Sequence, residues 1–249
     1  MMPDGRTHFL GIDFEGACID SAIDEILKVT KEPFRFIVTP NVHHVVQLHE
    51  GNGLKPIYAS AWRVYCDSRI LSRLGRICGV KLDVITGSDL TAALVARASE
   101  QHLKVAIIGP SAADCDTLAE RFPGLKIASF TPPMGFSKAE AEVMKCIDFV
   151  RTTGADLVFL AVGMPQQEKL AQRLYECGDV TGVGLCIGAS IDFLTQKQRR
   201  APQWVQRLGL EWLHRLLSDP KRLARRYLIE CPRIFPLLIA HVMDARARS

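Results

Sequence analysis

The sequence predicts an α/β fold, a parallel sheet with helices on both faces, followed by a helical carboxy-terminal appendage. Three observations predict it. Six short apolar runs, each closed by turn residues, recur between residues 34 and 190. Segments with helical apolar spacing separate them. After about residue 196 the strand pattern stops and only helical patterns remain. Near-continuous apolar strands arise where a sheet is buried on both faces, and the intervening helices supply its crossovers.

The strands read in order as "FRFIVTPN" (34–41), "WRVYCDS" (62–68), "LKVAIIGPS" (103–111), "LKIASFTPP" (125–133), "ADLVFLAVGMP" (155–165) and "GVGLCIGAS" (182–190). Helical patterns cover Ser21–Lys31, Asn41–Glu50, Arg69–Cys78, Ser88–Glu100, Ala112–Arg121, Ser137–Arg151 and Gln166–Cys177. Ser88, Ser111 and Ser137 stand where an N-cap is expected. The domain is Rossmann-like in the broad sense. Beyond it, helices are expected at Pro202–Leu217, at Pro220–Glu230 and from Pro232 onward with a kink at Pro236. Trp204, Leu208, Trp212 and Leu216 recur at helical spacing, and Asp219 before Pro220 is a helix start. The expected division is an α/β catalytic domain over 1–196 and a basic amphipathic appendage over 197–249.

A length of 249 residues with 48% hydrophobic and 23% charged residues describes a globular chain able to bury a sizeable core. The formal net charge of +4 is unevenly spread. Residues 197–249 hold 12 basic and 4 acidic side chains, whereas residues 1–196 hold 19 and 23. A basic module appended to a mildly acidic domain points to an anionic partner. The eight cysteines form no CxxC pair and read as buried small hydrophobes in a reducing compartment. "MMPDGRTHFLGIDFEG" has no signal-peptide pattern. The best apolar run, "IFPLLIAHVM", is about half the roughly 20 residues that a bilayer span needs.

In an open parallel sheet, ligands bind beyond the carboxyl ends of the strands. That rule selects Thr39, Asn41, Asp67, Gly109, Gly163, Pro165, Gln167, Gly188 and Ala189. Glycines there allow close approach of a ligand to backbone amides, and helix N-termini favour phosphate. They also simply make turns. The pattern suits a nucleotide or nucleotide sugar. Asp67 emerges from an apolar strand, a setting that raises a carboxyl pKa and suits a general base; it could equally cap the helix near Arg69. Thr39 and Asn41 could bind a ligand or cap the next helix. Three features are set aside. "DCD" (114–116) falls inside a helix, where acids complement the dipole. "GVGLCIG" lies within a strand and so lacks a dinucleotide fingerprint's context. His43, His44 and His49 lack the spacing of a helical zinc site. No bound metal or other cofactor is expected.

The stretches "TPNVHHVV", "CDS", "TGSDL", "GMPQQEKL" and "IGASIDFLTQKQRRAPQWVQRLGLEWLHRLLSDPKRLARRYL" resemble the WecG/TagA/CpsF glycosyltransferases, in the family's order and over about Val38–Pro232. The last block is the most specific; Gly163, Pro165, Gln167 and Glu168 form a second, GxPxQE, match. The resemblance implies an inverting, metal-independent transferase at the cytoplasmic membrane face. It would move N-acetylmannosamine, its uronic acid or glucose from a UDP-sugar to a polyprenyl-diphosphate-linked sugar. The products would be cell-surface polysaccharides such as teichoic acid linkage units, enterobacterial common antigen or exopolysaccharide. It implies Asp67 as base and Thr39 and Asn41 as orienting groups. Gly109, Gly163, Pro165, Gln167, Glu168, Gly188 and Ala189 become candidates for the donor. Arg207, Arg215, Arg222, Arg225 and Arg226 become candidates for the acceptor diphosphate and membrane.

Two positions depart from the pattern. Ser68 stands where the family usually has glycine, and Val84–Ile85 precede "TGSDL" where the family commonly has an arginine, leaving Lys81 as the nearest cation. Homo-oligomers stay open. Two other classes compete. A nucleic-acid-binding role has only the basic tail behind it, without a recognised motif. A nucleotide-dependent oxidoreductase lacks the glycine-rich fingerprint.

Overall fold

A computed structural model describes residues 5–247, and side chains through Asp244. Met1–Asp4 of the amino-terminal stretch and Arg248–Ser249 of the expected appendage lie outside the described residues. The chain opens with strands β1 (Arg6–Phe9) and β2 (Ile12–Glu15), then α1 (Ile19–Lys28), β3 (Arg35–Val38), α2 (Val42–His49), α3 (Leu54–Ser60) and β4 (Arg63–Val64). Next come α4 (Arg69–Ile77), α5 (Gly87–Glu100), β5 (Lys104–Ile108), α6 (Ala112–Arg121), β6 (Lys126–Phe130) and α7 (Glu140–Thr153). Strand β7 (Leu157–Leu160), α8 (Gln166–Cys177), β8 (Val183–Cys186) and α9 (Ser190–Leu194) complete the α/β part. The remainder is α10 (Gln203–Arg207), α11 (Glu211–Ser218), α12 (Pro220–Ala224), a π-helical turn over Arg225–Glu230, a 3₁₀ turn over Cys231–Arg233 and α13 (Ile234–Ala247).

Six strands form one parallel sheet in the order β4-β3-β8-β7-β5-β6. The continuous apolar runs follow from its two buried faces. Phe36 and Val38 of β3 pack on one side with Val158 and Leu160 of β7, against α2, α3, α7 and α8. Ile37, Leu157 and Phe159 pack on the other, against α1, α5 and α6. Alternate residues of a strand face opposite sides, so burial of both sides leaves no polar alternation.

Several expectations need correcting. The β1–β2 hairpin was not anticipated. Its turn places Leu10 at φ 49 and Gly11 at φ 75, and a leucine is an unusual occupant of that region. Helix α3 was also missed. Helix α5 is capped by Thr86 rather than Ser88, with the Thr86 hydroxyl accepting from the Asp89 amide. Helix α7 starts at Glu140, because Phe136–Lys138 form a 3₁₀ turn, so Ser137 is no cap. Ser111 does cap α6, in a reciprocal capping box with Asp114. The expected helix Pro202–Leu217 is broken between α10 and α11, where Gly209 takes φ +71. Pro236 lies within the first turn of α13, where no intrahelical N–H is required of it. The eight cysteines are free, with Cys66, Cys115, Cys146 and Cys186 buried as expected and Cys18 exposed. Among the described residues no helix is long and apolar enough to cross a membrane.

Candidate active site

The carboxyl ends of all six parallel strands open into one cleft of about 830 Å³. Residues following each strand line it: Thr39 after β3, Asp67 after β4, Gly109 after β5, Thr131 after β6, Gly163 after β7 and Gly188 after β8. The appendage closes over the other side with Trp212, Arg215, Arg222, Arg226 and Tyr227. Tail and sheet therefore share one cavity, which is why its arginines can reach chemistry at the strand ends.

Asp67 sits at the floor. It does not cap α4; Ser68 does, its hydroxyl accepting from the Leu71 amide at 3.1 Å. The side chain of Asp67 is thus left to face the cleft, where Oδ1 accepts from the Gly87 amide at 3.3 Å. Burial, reinforced by nearby Glu211, pushes its carboxyl up to about 7, against the opposing pull of Arg215 and the Gly87 amide. Thr39 stands against the same turn. A β-carbon on Gly87 would come within 2.7 Å of the Thr39 hydroxyl, so only glycine lets the α5 N-terminus approach β3 this closely. Asn41 caps α2, its Oδ1 accepting from the amides of His43 (3.1 Å) and His44 (3.5 Å). With that oxygen engaged, the amide nitrogen is the atom Asn41 has left for a ligand.

The glycines divide by role. A β-carbon on Gly109 would lie 2.6 Å from the Ala161 carbonyl, so this residue is demanded by strand packing. Gly163 (φ +77) and Gly188 (φ +52) face open space, as close approach by a ligand requires. The Gly188 amide, however, already donates to Gln167 Oε1 at 3.0 Å, and Gln167 Nε2 donates to Glu168 Oε1 at 2.9 Å. Gln167 and Gly188 thus support each other beside the cleft, with Ala189 in the same lining.

Four residues expected at the ligand are not in the lining. Pro165 follows a cis peptide at the start of α8. Glu168 is 1% exposed behind Gln167, with burial raising its carboxyl to about 7. Arg207 is exposed on α10, offering its carbonyl to Arg73 at 3.2 Å. Arg225 is exposed and pairs with Glu230 at 3.1 Å. Pro165 and Glu168 were expected there from the GxPxQE match, and Arg207 and Arg225 from the resemblance of the basic tail; their side chains or backbone serve the packing of α8 and of the appendage instead.

The tail arginines that do line the cleft are held by ring faces and polar groups. Arg215 lies over the Phe193 ring at 5.6 Å and Arg226 over Tyr227 at 5.7 Å, while Arg226 Nη2 donates to Asn41 Oδ1 at 3.4 Å. The Nε of each is buried without a hydrogen-bond partner. Sequence reasoning missed Arg200. Its Nη1 donates to Asp89 at 2.6 Å and its Nη2 to the Thr86 hydroxyl at 3.4 Å. A guanidinium from the tail thus reaches the "TGSDL" turn that has no arginine in front of it. Also missed was Lys197, paired with Asp114 at 3.0 Å on the cleft wall, while His43, on the helix that starts at the cleft, lines it with Nε2 2.8 Å from Glu230 of the tail. "DCD" lies in α6 as expected, and no described group of His, Cys, Asp and Glu has metal-site geometry.

The sequence model of the glycosyl transferase WecG/TagA/CpsF family matches residues 7–248. The chain is also similar to an N-acetylglucosaminyldiphosphoundecaprenol N-acetyl-beta-D-mannosaminyltransferase of Bacillus spizizenii. The two are 27% identical over 211 residues, covering 83% of this chain and 79% of the relative.

Proposed function

This chain belongs to the WecG/TagA/CpsF glycosyltransferase family, and from that premise we propose that it transfers an N-acetylhexosamine, N-acetylmannosamine foremost, from a UDP-sugar to a polyprenyl-diphosphate-linked N-acetylglucosamine. The donor's uronic acid and glucose counterparts belong to the same reading. The relative's name supports the acceptor class and the sugar. The reaction is a single inverting displacement. Asp67 takes the proton from the acceptor hydroxyl as its oxygen bonds to the anomeric carbon. The bond from that carbon to the donor phosphate breaks, and UDP leaves with the electron pair.

The charge on the leaving diphosphate needs cations or amides at hand. Arg69, Lys197, Arg215, Arg222 and Arg226 are the cations lining the cleft, and Gly163 allows close backbone approach. The chain's own groups can therefore carry this charge without a resident metal. Residues 197–249 are the part that meets the lipid diphosphate and the cytoplasmic face of the membrane and that lends arginines to the leaving UDP, while residues 1–196 hold the rest of the donor. The observation that carries the reading is Asp67, a carboxyl raised to about 7 at the floor of a cleft whose roof is arginine-rich. The experiment incubates purified protein with a polyprenyl-diphosphate-N-acetylglucosamine analogue and a panel of UDP-sugars. A mass gain of one N-acetylhexosamine with UDP-N-acetylmannosamine is expected; no gain with any UDP-sugar would overturn the reading.

A further inference from the structure

Behind the cleft, the Asp67 mechanism leaves one buried carboxylate unused. Glu168 stands in the first turn of α8, with no access to the cavity. Its Oε1 accepts from Gln167 Nε2 at 2.9 Å, and Gln167 Oε1 in turn accepts from the Gly188 amide at 3.0 Å. The same Oε1 lies 3.7 Å from His44 Nε2. On the other side of that ring, His44 Nδ1 is 2.9 Å from Asn41 Oδ1 and 3.4 Å from the Asn41 amide. Asn41 Oδ1 also receives Arg226 Nη2 of the tail at 3.4 Å. A chain of polar contacts thus runs from the Gly188 turn, through Glu168, to the appendage.

We propose that Glu168 is a positioning residue that ties the two walls of the cleft together. Through Gln167 it holds the Gly188 turn after β8, and through His44 it holds the Asn41 cap and Arg226. An amide side chain can turn over and exchange its oxygen for its nitrogen. Gln167 presents oxygen to Gly188 only while its nitrogen has an acceptor on the far side. Buried polar groups left without partners are costly, so a carboxylate at that depth fixes the amide's orientation. The remaining oxygen of Glu168 and the buried Tyr58 hydroxyl, both without a hydrogen-bond partner, mark the back of the same polar seam.

The proposal rests on the glycosyltransferase reading for what the walls bind, but its test does not. Amide hydrogen exchange in the free protein reads both walls directly. In Glu168→Leu, exchange at Gly188 is expected to quicken about tenfold, because the hydrogen bond that orients Gln167 is lost, and exchange at the His43 and His44 amides to quicken by a smaller factor, because only a 3.7 Å polar contact is lost there. In Glu168→Gln, the new carbonyl still accepts from Gln167, so Gly188 is expected to stay within about twofold of wild type. Should Glu168→Leu fail to fold, Gln167→Met cuts the chain one link further along. It is expected to quicken Gly188 about tenfold and leave His43 and His44 unchanged. Wild-type exchange at Gly188 in either apolar variant overturns the proposal, as does equal exchange at Gly188 in the Gln and Leu variants. A second arm titrates UDP by calorimetry. Glu168→Leu is expected to bind about tenfold more weakly than wild type, with Glu168→Gln near wild type. Failure of the wild type to bind UDP would sink the functional reading alone, leaving the exchange rates to decide the positioning role.

Discussion

The proposed mechanism concentrates the chemistry in the Asp67 carboxyl, and two consequences can be measured. A base with a pKa of about 7 is half-protonated at neutral pH, so kcat/KM is expected to rise with pH through about 7 and then level. Asp67→Asn is expected to lower kcat by about 10²–10⁴ without loss of secondary structure. Turnover within a few-fold of wild type would remove Asp67 as the base. The same residue weakens the fold. Its folded pKa lies above the unfolded value, so the folded state holds its proton longer. That stability is full below about 3.8 and is lost as pH rises toward 7. Asp67→Asn is therefore expected to raise Tm at pH 8 relative to wild type and to have less effect at pH 5, as thermal unfolding at the two pH values would register. Gly87 acts through shape instead. With a β-carbon 2.7 Å from the Thr39 hydroxyl, Gly87→Ala must displace Thr39 or the α5 N-terminus. A loss of about tenfold or more in kcat/KM is expected from a shift of this kind near the reacting groups.

At the scale of elements, the appendage depends on its breaks as much as on its helices. Gly209 ends α10; at φ +71 it turns the chain before α11, so that Trp212 and Arg215 reach the cleft while Trp204 and Arg207 stay outside. Arg73 of α4 supports the turn by donating to the carbonyls of Leu208 (2.8 Å) and Arg207 (3.2 Å). A β-carbon at position 209 would meet Arg73 Nη1 at 3.1 Å in a backbone region that L-residues rarely adopt. Gly209→Ala is expected to cost about 1–2 kcal/mol, a fall in Tm of about 2–8 °C for a chain this long. Differential scanning calorimetry would record it. Activity on lipid acceptor should fall with it, since the turn aims Arg215.

At the scale of the molecule, the tail buries Leu223 and Ile234 but carries a second set of apolar residues outward. Leu217, Leu228, Ile229, Phe235 and Ile239 are each more than half exposed beside a basic surface. Such a face suits an anionic bilayer surface, to which apolar insertion and basic side chains both contribute. The full-length protein is expected to float with vesicles containing anionic lipid, less so as salt rises. Replacing Leu217, Ile229 and Ile239 together by serine should reduce flotation about tenfold or more. Unchanged flotation would dissociate this face from the membrane role.

The periodicity of apolar residues by itself determined the six parallel strands, because a sheet buried on both sides leaves near-continuous apolar runs in its central strands, such as Leu157–Leu160 and Val183–Cys186, all of whose residues are buried. It also located Asp67, Thr39, Asn41, Gly163 and Gly188, since ligand sites follow strand ends in such sheets. The motifs carried the family. What only the tertiary structure decided is which groups share the cleft. Leu10 at positive φ goes against local preference, so the hairpin was illegible, whereas Gly209 at φ +71 is an ordinary glycine helix stop that the apolar spacing across it concealed. Glu168 sits one residue from Gln167, yet its side chain lies behind the wall rather than in it. Arg200, at 3.4 Å from Thr86 across 114 positions of chain, follows no sequence spacing. Strand and helix periods are local and survive in one dimension. The partner of a charge depends on where two distant segments meet, and that is settled only when the core has packed.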